Sequence, residues 1–414
     1  MAAGVAVAGA GATDVPRIDP LAGPDLFGLG WRAELAASLF AHLDRLDVVE
    51  VIADDWFHVP RSQARALRTL AAQVPVTLHG VGLGAASAAR VDPRRAEALA
   101  RLVNLVEPAN WSEHLAFVRA GGHEIGHLAA PPRSEAVVAG TAANIQAVAR
   151  VVGTRPLLEN VATLVEPPGG TMDEPAWIGR ALAAADCDLL LDLHNLYANA
   201  VNFGSEPTTL LSHMPLARVA AVHIAGGRWI GPPGGDGAAR RLLDDHLHDV
   251  PDVVFDLLER LGETTDRPLT VVLEQDGRYP PLPHLLAQLD RARAALARGR
   301  SRRGVARPAL DPGSGPACAP PGADTSPAFE TLLARLYSDD ALRVAFLRDP
   351  TAGAAAALGL TDWERRALRE VDTVGLAMAG ESFRRKRARH GAAAPWPGLW
   401  ARVREALALI HVRP

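Results

Sequence analysis

The groups Thr77-Leu78-His79, Ser112-Glu113-His114, Leu158-Glu159-Asn160, Leu191-Asp192-Leu193-His194-Asn195, Val222-His223 and Leu273-Glu274 each set imidazole, carboxylate or amide donors after a short apolar run. A buried His, Asp or Glu taken singly is ordinarily a hydrogen-bonded residue. The set implies more. Glu159, Asp192, Asp244 and Glu274 would gather several negative charges in one place, and the strand ends that carry them offer no Lys or Arg as partners. Such crowding is tolerated where protons or cations are held. His79, His114, His223 and His246 favour cations, because imidazole is the commonest protein ligand for transition metals.

The elements that would position these donors form a repeat. Eight apolar runs, Phe27–Arg32, Val48–Ile52, Val74–His79, Asn110–His114, Pro156–Asn160, Leu189–Asp192, Val219–His223 and Leu269–Glu274, alternate with amphipathic stretches such as Asp92–Val106 and Thr141–Val152. Alternation of that kind predicts βα units, and eight of them close a (β/α)₈ barrel whose chemistry sits at the carboxyl ends of the strands. The donors lie at those ends.

At 414 residues the chain exceeds a barrel of about 250 and has room for a second unit. Residues 1–26 read as an N-terminal tail, Ala/Gly-rich through Ala12 and without the basic start of a signal peptide. Residues 27–297 are the barrel, 298–327 a Pro/Gly/Arg-rich linker and 328–414 a small all-α C-terminal domain. In that domain Ala328–Arg348 carries apolar residues at helical spacing, and Thr361-Asp362-Trp363-Glu364 predicts a capping box. The Arg384-Arg385-Lys386-Arg387 run reads as a solvated helix face.

The net charge of −4 leaves no footprint for nucleic acid, and no apolar stretch is long enough to span a membrane, so a cytoplasmic protein is expected. Cys187 and Cys318 are the only cysteines, which excludes a disulfide scaffold, a Cys-rich zinc site and an iron–sulfur cluster. Lys386 is the only lysine and lies far beyond the barrel, so Schiff-base and pyridoxal-phosphate chemistry are excluded too.

His123-Glu124-Ile125-Gly126-His127 matches the HExxH pattern of zinc proteases, which needs a continuous helix. Gly121-Gly122, Gly126 and Pro131-Pro132 argue against that helix. A loop after strand four, overhanging the barrel mouth, is the expectation. Gly80–Gly84 lacks the Rossmann spacing and the P-loop lysine and reads as a tight βα turn, whereas Gly226-Gly227 and Gly231–Gly237 suggest a mobile loop after strand seven.

Taken in order, Gly28–Arg32, Leu78–Leu83, Ser112–Ala116, Glu159-Asn160, Asp192–Asn199, His223–Gly226 and Asp244–Pro251 resemble the multinuclear non-heme iron-dependent oxidative enzymes, the family of the methanobactin-synthesis oxidase. The resemblance covers about residues 27–296. It implies a TIM barrel holding two or three irons of mixed Fe(II)/Fe(III) valence, with dioxygen as co-substrate. It also implies a ribosomally made precursor peptide as substrate, modified most often at cysteine, and commonly a separate peptide-recognition partner that the fused helical domain would replace or recruit.

Carried over residue by residue, the resemblance implies the metal ligands His79, His114, Glu159, Asp192, Asn195, His223, Asp244, His246 and Glu274, with Glu50, Asn160 and His194 as residues that orient ligands. Nine N/O donors exceed what one ion uses, so more than one metal is the economical arrangement. The sequence departs from the family pattern at Leu128–Ala136, where a more acidic and aromatic loop is expected, so no residue is assigned to substrate binding. The rival readings are a divalent-metal hydrolase or sugar isomerase of the endonuclease IV and xylose isomerase type, and an inactive barrel serving as a peptide-binding scaffold.

Overall fold

The computed structural model describes residues 23–231, 240–304 and 323–392. Most of the N-terminal tail, of the Gly231–Gly237 loop and of the linker, together with the end of the C-terminal region, therefore lies outside the described residues.

Twelve strands occur among the described residues: β1 (Leu26–Gly30), β2 (Val48–Ile52), β3 (Val76–Gly80), β4 (Asn110–His114), β5 (Phe117–Ala120), β6 (His123–Ala129), β7 (Leu157–Glu159), β8 (Asp188–Asp192), β9 (Val219–Ile224), β10 (Gly227–Ile230), β11 (Arg241–Asp244) and β12 (Thr270–Leu273). Eight of them close a parallel barrel in the order β1-β12-β9-β8-β7-β4-β3-β2, and these are the eight expected runs. Strands of a parallel barrel are covered on both faces, which is why they read as near-continuous apolar runs rather than alternating ones. Helices start where capping chemistry allows. Asp92 caps the helix Pro93–Val106, Ser134 caps Glu135–Val152, and Asp173 caps Glu174–Ala185.

Register brings the donors level. His114 pairs with Glu159 across β4 and β7, Asp192 with His223 across β8 and β9, and His79 with Ser112 across β3 and β4. Adjacent strand partners share a face of the sheet, so these side chains meet inside the same mouth.

Two antiparallel hairpins rise from the strand ends. The segment after β4 is β5–β6, turning at Gly121 (φ 56°) and Gly122 (φ 80°), so the HExxH residues lie on a strand rather than in the expected loop. Two successive residues with positive φ match the twist of a two-residue hairpin turn, and Gly-Gly supplies them without steric cost. The segment after β9 is the hairpin β10–β11, which replaces part of the expected glycine loop with paired strands.

The C-terminal helices Pro327–Ser338, Asp340–Arg348, Pro350–Ala356, Asp362–Arg369 and Thr373–Ala392 include the expected capping box at Thr361. Ala328–Arg348 is two helices, because Asp339 is extended (φ −102°, ψ 106°) and caps the second. The last barrel helix, Leu282–Ser301, runs past residue 298, where the composition changes, so the linker starts later than expected. Nor is the helical unit a detached one. Phe329, Leu333, Leu336 and Tyr337 share one buried cluster with Phe117 and Ile125 of the β5–β6 hairpin and with Leu164 and Val165. Buried Glu330 adds a polar tie, accepting from Ser87 Oγ at 2.7 Å and from the Ala88 amide at 2.9 Å. Of the basic run, Arg384 and Arg385 form a solvated face and bond Glu381 on their own helix, whereas Lys386 meets His127 and Arg387 donates to the Ile125 carbonyl.

Candidate metal centre

Glu159 ends β7 and is the hub of one group of donors. Its Oε2 lies 3.3 Å from His79 Nε2 and 3.2 Å from His114 Nε2, and its Oε1 lies 3.2 Å from His223 Nδ1. His114 Nδ1 donates to the Gly80 carbonyl at 3.0 Å, a group that can only accept. A neutral His114 therefore turns an Nε2 lone pair toward a carboxylate oxygen. That contact is repulsive unless a second proton or a cation lies between them.

His223, fully buried, faces three carboxylates. Its Nε2 is 3.0 Å from Glu50 Oε1, and its Nδ1 is 3.1 Å from Glu274 Oε2 as well as near Glu159. One imidazole carries two N–H groups at most, so it cannot satisfy all three.

The remaining donors adjoin this group. Asp192 ends β8 and caps the helix Leu193–Asn202, its Oδ1 accepting from the Asn195 amide at 2.6 Å. Asn160 holds the Asp192 backbone at both ends, through Nδ2 to the carbonyl (3.0 Å) and Oδ1 from the amide (2.9 Å). Asn195 Nδ2 in turn donates to the Asn160 carbonyl at 3.0 Å. Asp244 closes the β10–β11 hairpin with Oδ1 2.6 Å from His194 Nδ1 and Oδ2 2.9 Å from His246 Nε2. His246 Nδ1 lies 3.5 Å from Glu274 and 3.3 Å from Asp276. Single ligand atoms of Glu159, Asp192, His223 and Glu274 all fall within 4.8 Å of one another.

His246 has φ 51°, in the left-handed region that a non-glycine residue rarely occupies. Strain of this kind persists where surrounding structure holds it and clusters at functional sites.

Charge and burial compete throughout. Burial pushes the Asp192 carboxyl well above the usual carboxylate range, helped by Asp244 and Glu159. Burial opposes a charge on His223 and His246, but Glu274, Glu50 and Glu159 around the first, and Asp244 and Glu274 around the second, raise both well above the ordinary imidazole value. For His114 burial is outweighed by Glu159 and Glu113, giving a pKa of about 9. His79, by contrast, is lowered by burial. Burial opposes the charge on Glu159 and Glu274 too, yet the neighbouring imidazoles draw both below the ordinary value. The cluster has more negative charge than it can leave uncompensated and must hold positive charge, as protons or as metal.

Over residues 26–297 the sequence matches the family described as the RiPP precursor modification enzyme MbnB/TglH/ChrH. The chain belongs to this family. Curated relatives include a UPF0276 protein of Bordetella bronchiseptica, 34% identical over 277 residues that span 67% of this chain and 94% of the relative. A UPF0276 protein of Streptomyces avermitilis is 34% identical over 284 residues, 66% of this chain and 56% of that protein's length. Among solved structures, endonuclease IV from Thermus thermophilus is similar at 17% identity and TM-score 0.42, over 66% of this chain and 99% of that one. That likeness is too distant to bear on chemistry.

Within this family member the donor set fits bound metal ions. Among the described residues, Glu50 Oε1, Glu159 Oε2, Asp192 Oδ2, His194 Nε2, Asn195 Oδ1 and both His246 nitrogens are buried without a hydrogen-bond partner, several of them at ion-pair distance but without bonding geometry. Buried polar atoms are ordinarily satisfied, and a concentration of orphans in one mouth marks missing partners. All are nitrogen or oxygen donors, suited to iron, manganese or zinc.

Glu50, expected from the motifs to orient a ligand, lies against His223, with Oε1 3.0 Å from its Nε2. Three residues of the site went unassigned. Ser112 Oγ lies 2.8 Å from His79 Nδ1 and orients that ring. Asp276 sits beside His246 and is bonded by Arg32 through Nε at 3.1 Å and through Nη2. Arg32 follows β1, whose end carries none of Glu159, Asp192, Asp244 and Glu274, and brings a cation to the same rim by way of Asp276. The arginine was visible in the Gly28–Arg32 motif, but its partner, 244 residues away, was not.

Proposed function

We propose that this chain is a multinuclear iron- and dioxygen-dependent oxidase that modifies a ribosomally synthesised precursor peptide at cysteine, in the cytoplasm. The observation that carries the reading is the convergence of orphaned buried donors around Glu159, Asp192 and Asp244. His79, His114, Glu159, Asp192, Asn195, His223, Asp244, His246 and Glu274 would hold two or three irons. When bound, iron supplies a site that acidifies a substrate thiol and the one-electron chemistry that dioxygen requires.

The chain's own residues prepare that site. The Gly80 carbonyl holds the His114 Nδ1 proton and leaves Nε2 as the free donor. Ser112 fixes His79, Asn160 fixes the Asp192 backbone, and Asp244 holds His194 by one ring nitrogen while leaving the other open. Hydrogen bonds of this kind set tautomer and orientation before a ligand arrives. Cys187 is buried in the apolar core, away from the donors, which agrees with a reacting cysteine supplied by the substrate; Cys318 lies outside the described residues. No helix among the described residues is long and apolar enough to cross a membrane. The helical unit docked on β5–β6 is suited to recruit or replace a peptide-recognition partner.

The test is anaerobic purification followed by elemental analysis and Mössbauer spectroscopy of the wild type and of Glu159→Ala. Two or three irons of mixed valence, depleted in the variant, support the reading. A stoichiometric zinc pair would replace it with a hydrolase.

A further inference from the structure

The hairpin that delivers Asp244 to the metal centre also has one open edge. On its inner side β11 is closed by the helix Leu193–Asn202, where Asn202 Nδ2 donates to the Leu242 carbonyl at 3.0 Å and Asn202 Oδ1 accepts from the Leu242 amide at 2.6 Å. Both backbone groups of Leu242 therefore point away from β10. In an antiparallel ladder a residue in that state faces a partner with which it exchanges no bond, and the partner's own N–H and C=O point out of the opposite edge. The partner of Leu242 is Trp229. The alternation returns two residues earlier at Gly227, which pairs with Asp244. Among the described residues, the backbone of neither Gly227 nor Trp229 makes a hydrogen bond outside the hairpin.

The edge is exposed and leads to the site. Trp229 is 42% exposed, with the Arg240 guanidinium 5.8 Å from its ring centroid. Gly227 and Trp229 are two apart and so share a face. A Cβ on Gly227 would lie 2.5 Å from His194 Cε1, so that face fronts the histidine that Asp244 holds. The opposite face carries Ile230 and Leu243, which pack against the cluster shared with the C-terminal helices. One face of the hairpin thus fronts the metal centre and the other the helical unit. Free strand edges are ordinarily blunted by shortness, proline, charged side chains or a covering element; Gly227–Ile230 is short but has no proline, and its one charge, Arg228, is bonded to Asp245.

We propose that the outer edge of β10 is the docking strand for the precursor peptide. An extended peptide segment adds to the hairpin by backbone pairing with Gly227 and Trp229, and the indole gives it an apolar anchor. The peptide residue placed beside Gly227 shares its face and directs its side chain toward His194 and Asp244. The occupant is a peptide because the chain's family modifies peptides. That the delivered side chain is a cysteine rests on the function proposed above.

The probe is a synthetic fluorescein-labelled peptide with the sequence of the Cys-containing short reading frame nearest this chain's gene, titrated into the full-length metal-loaded protein under anaerobic conditions. Trp229→Pro removes an outward N–H without removing a bond of the β10–β11 ladder, and is expected to weaken binding about fivefold to tenfold while metal content stays at the wild-type level. Backbone N-methylation of the peptide, scanned on the wild-type protein, tests the same contact even if that variant fails to fold. Methylation at alternate residues should weaken binding and methylation at the residues between should not. No saturable binding to the wild type, unchanged affinity in Trp229→Pro with a flat methylation scan, or concentration-dependent self-association that the peptide does not displace would each overturn the proposal. Alternating binding without oxidation of the peptide would leave the docking strand standing and count against the oxidase.

Discussion

Asp54 gives a quantitative test of how the turn beside His79 is held. Its Oδ2 accepts from the Val81 amide at 2.9 Å, and Arg119 clamps the same turn from the hairpin through the Leu83 and Gly82 carbonyls. Burial, then the Glu113 charge, raises the Asp54 carboxyl from 3.8 to about 6. An acid with a raised folded-state pKa stabilises the fold only as the neutral form, so stability is lost as pH rises from about 3.8 through about 6. That gap corresponds to about 3 kcal/mol at full ionisation. Solvent screening of a side chain 19% exposed reduces it, so about half is the working figure. Asp54→Asn keeps an acceptor for Val81 and removes the titration. In urea denaturation the variant should gain on the wild type by about 0.5 kcal/mol more at pH 8 than at pH 5, since part of the loss is already complete at pH 5, other titrating groups cancelling in the difference. An equal difference at the two pH values would refute the assignment, and a larger gain at pH 5 would reverse its sign.

Two further outcomes rest on the geometry. Phe329→Ala empties a fully buried ring from the cluster joining the helical unit to the β5–β6 hairpin and should cost about 3–5 kcal/mol, seen as a lower urea midpoint and faster proteolysis within Pro327–Ala392; an unchanged midpoint would show that the cluster does not couple the two. Gly227→Ala places a methyl 2.3 Å from the Leu243 carbonyl oxygen and 2.5 Å from His194, displacing the residue that bonds Asp244, so elemental analysis should find fewer metals per chain with the far-ultraviolet circular dichroism unchanged. Full metal content in Gly227→Ala would mean that His194 is not needed to position Asp244.

The barrel was legible because its cause is local. Each parallel strand is covered on both faces, so apolar runs such as Val48–Ile52 and Val219–Ile224 declare themselves, and the donors that end them must point into the mouth once the barrel closes. The capping box at Thr361 was legible for the same reason, since its partners are three residues apart. What the linear order could not convey was which distant groups meet. Glu50 faces His223 across 173 residues, and Arg32 faces Asp276 across 244. The same holds for the two hairpins. Gly121-Gly122 signalled a turn, but a strand facing Phe329 and Tyr337 and a short glycine-rich loop look alike until the C-terminal helices arrive to bury one face. Sequence alone determined the ring of strands and the kinds of donor at its rim. Tertiary structure decided how those donors share their protons and charge, because in a buried cluster each group's state is set by neighbours brought from elsewhere in the chain.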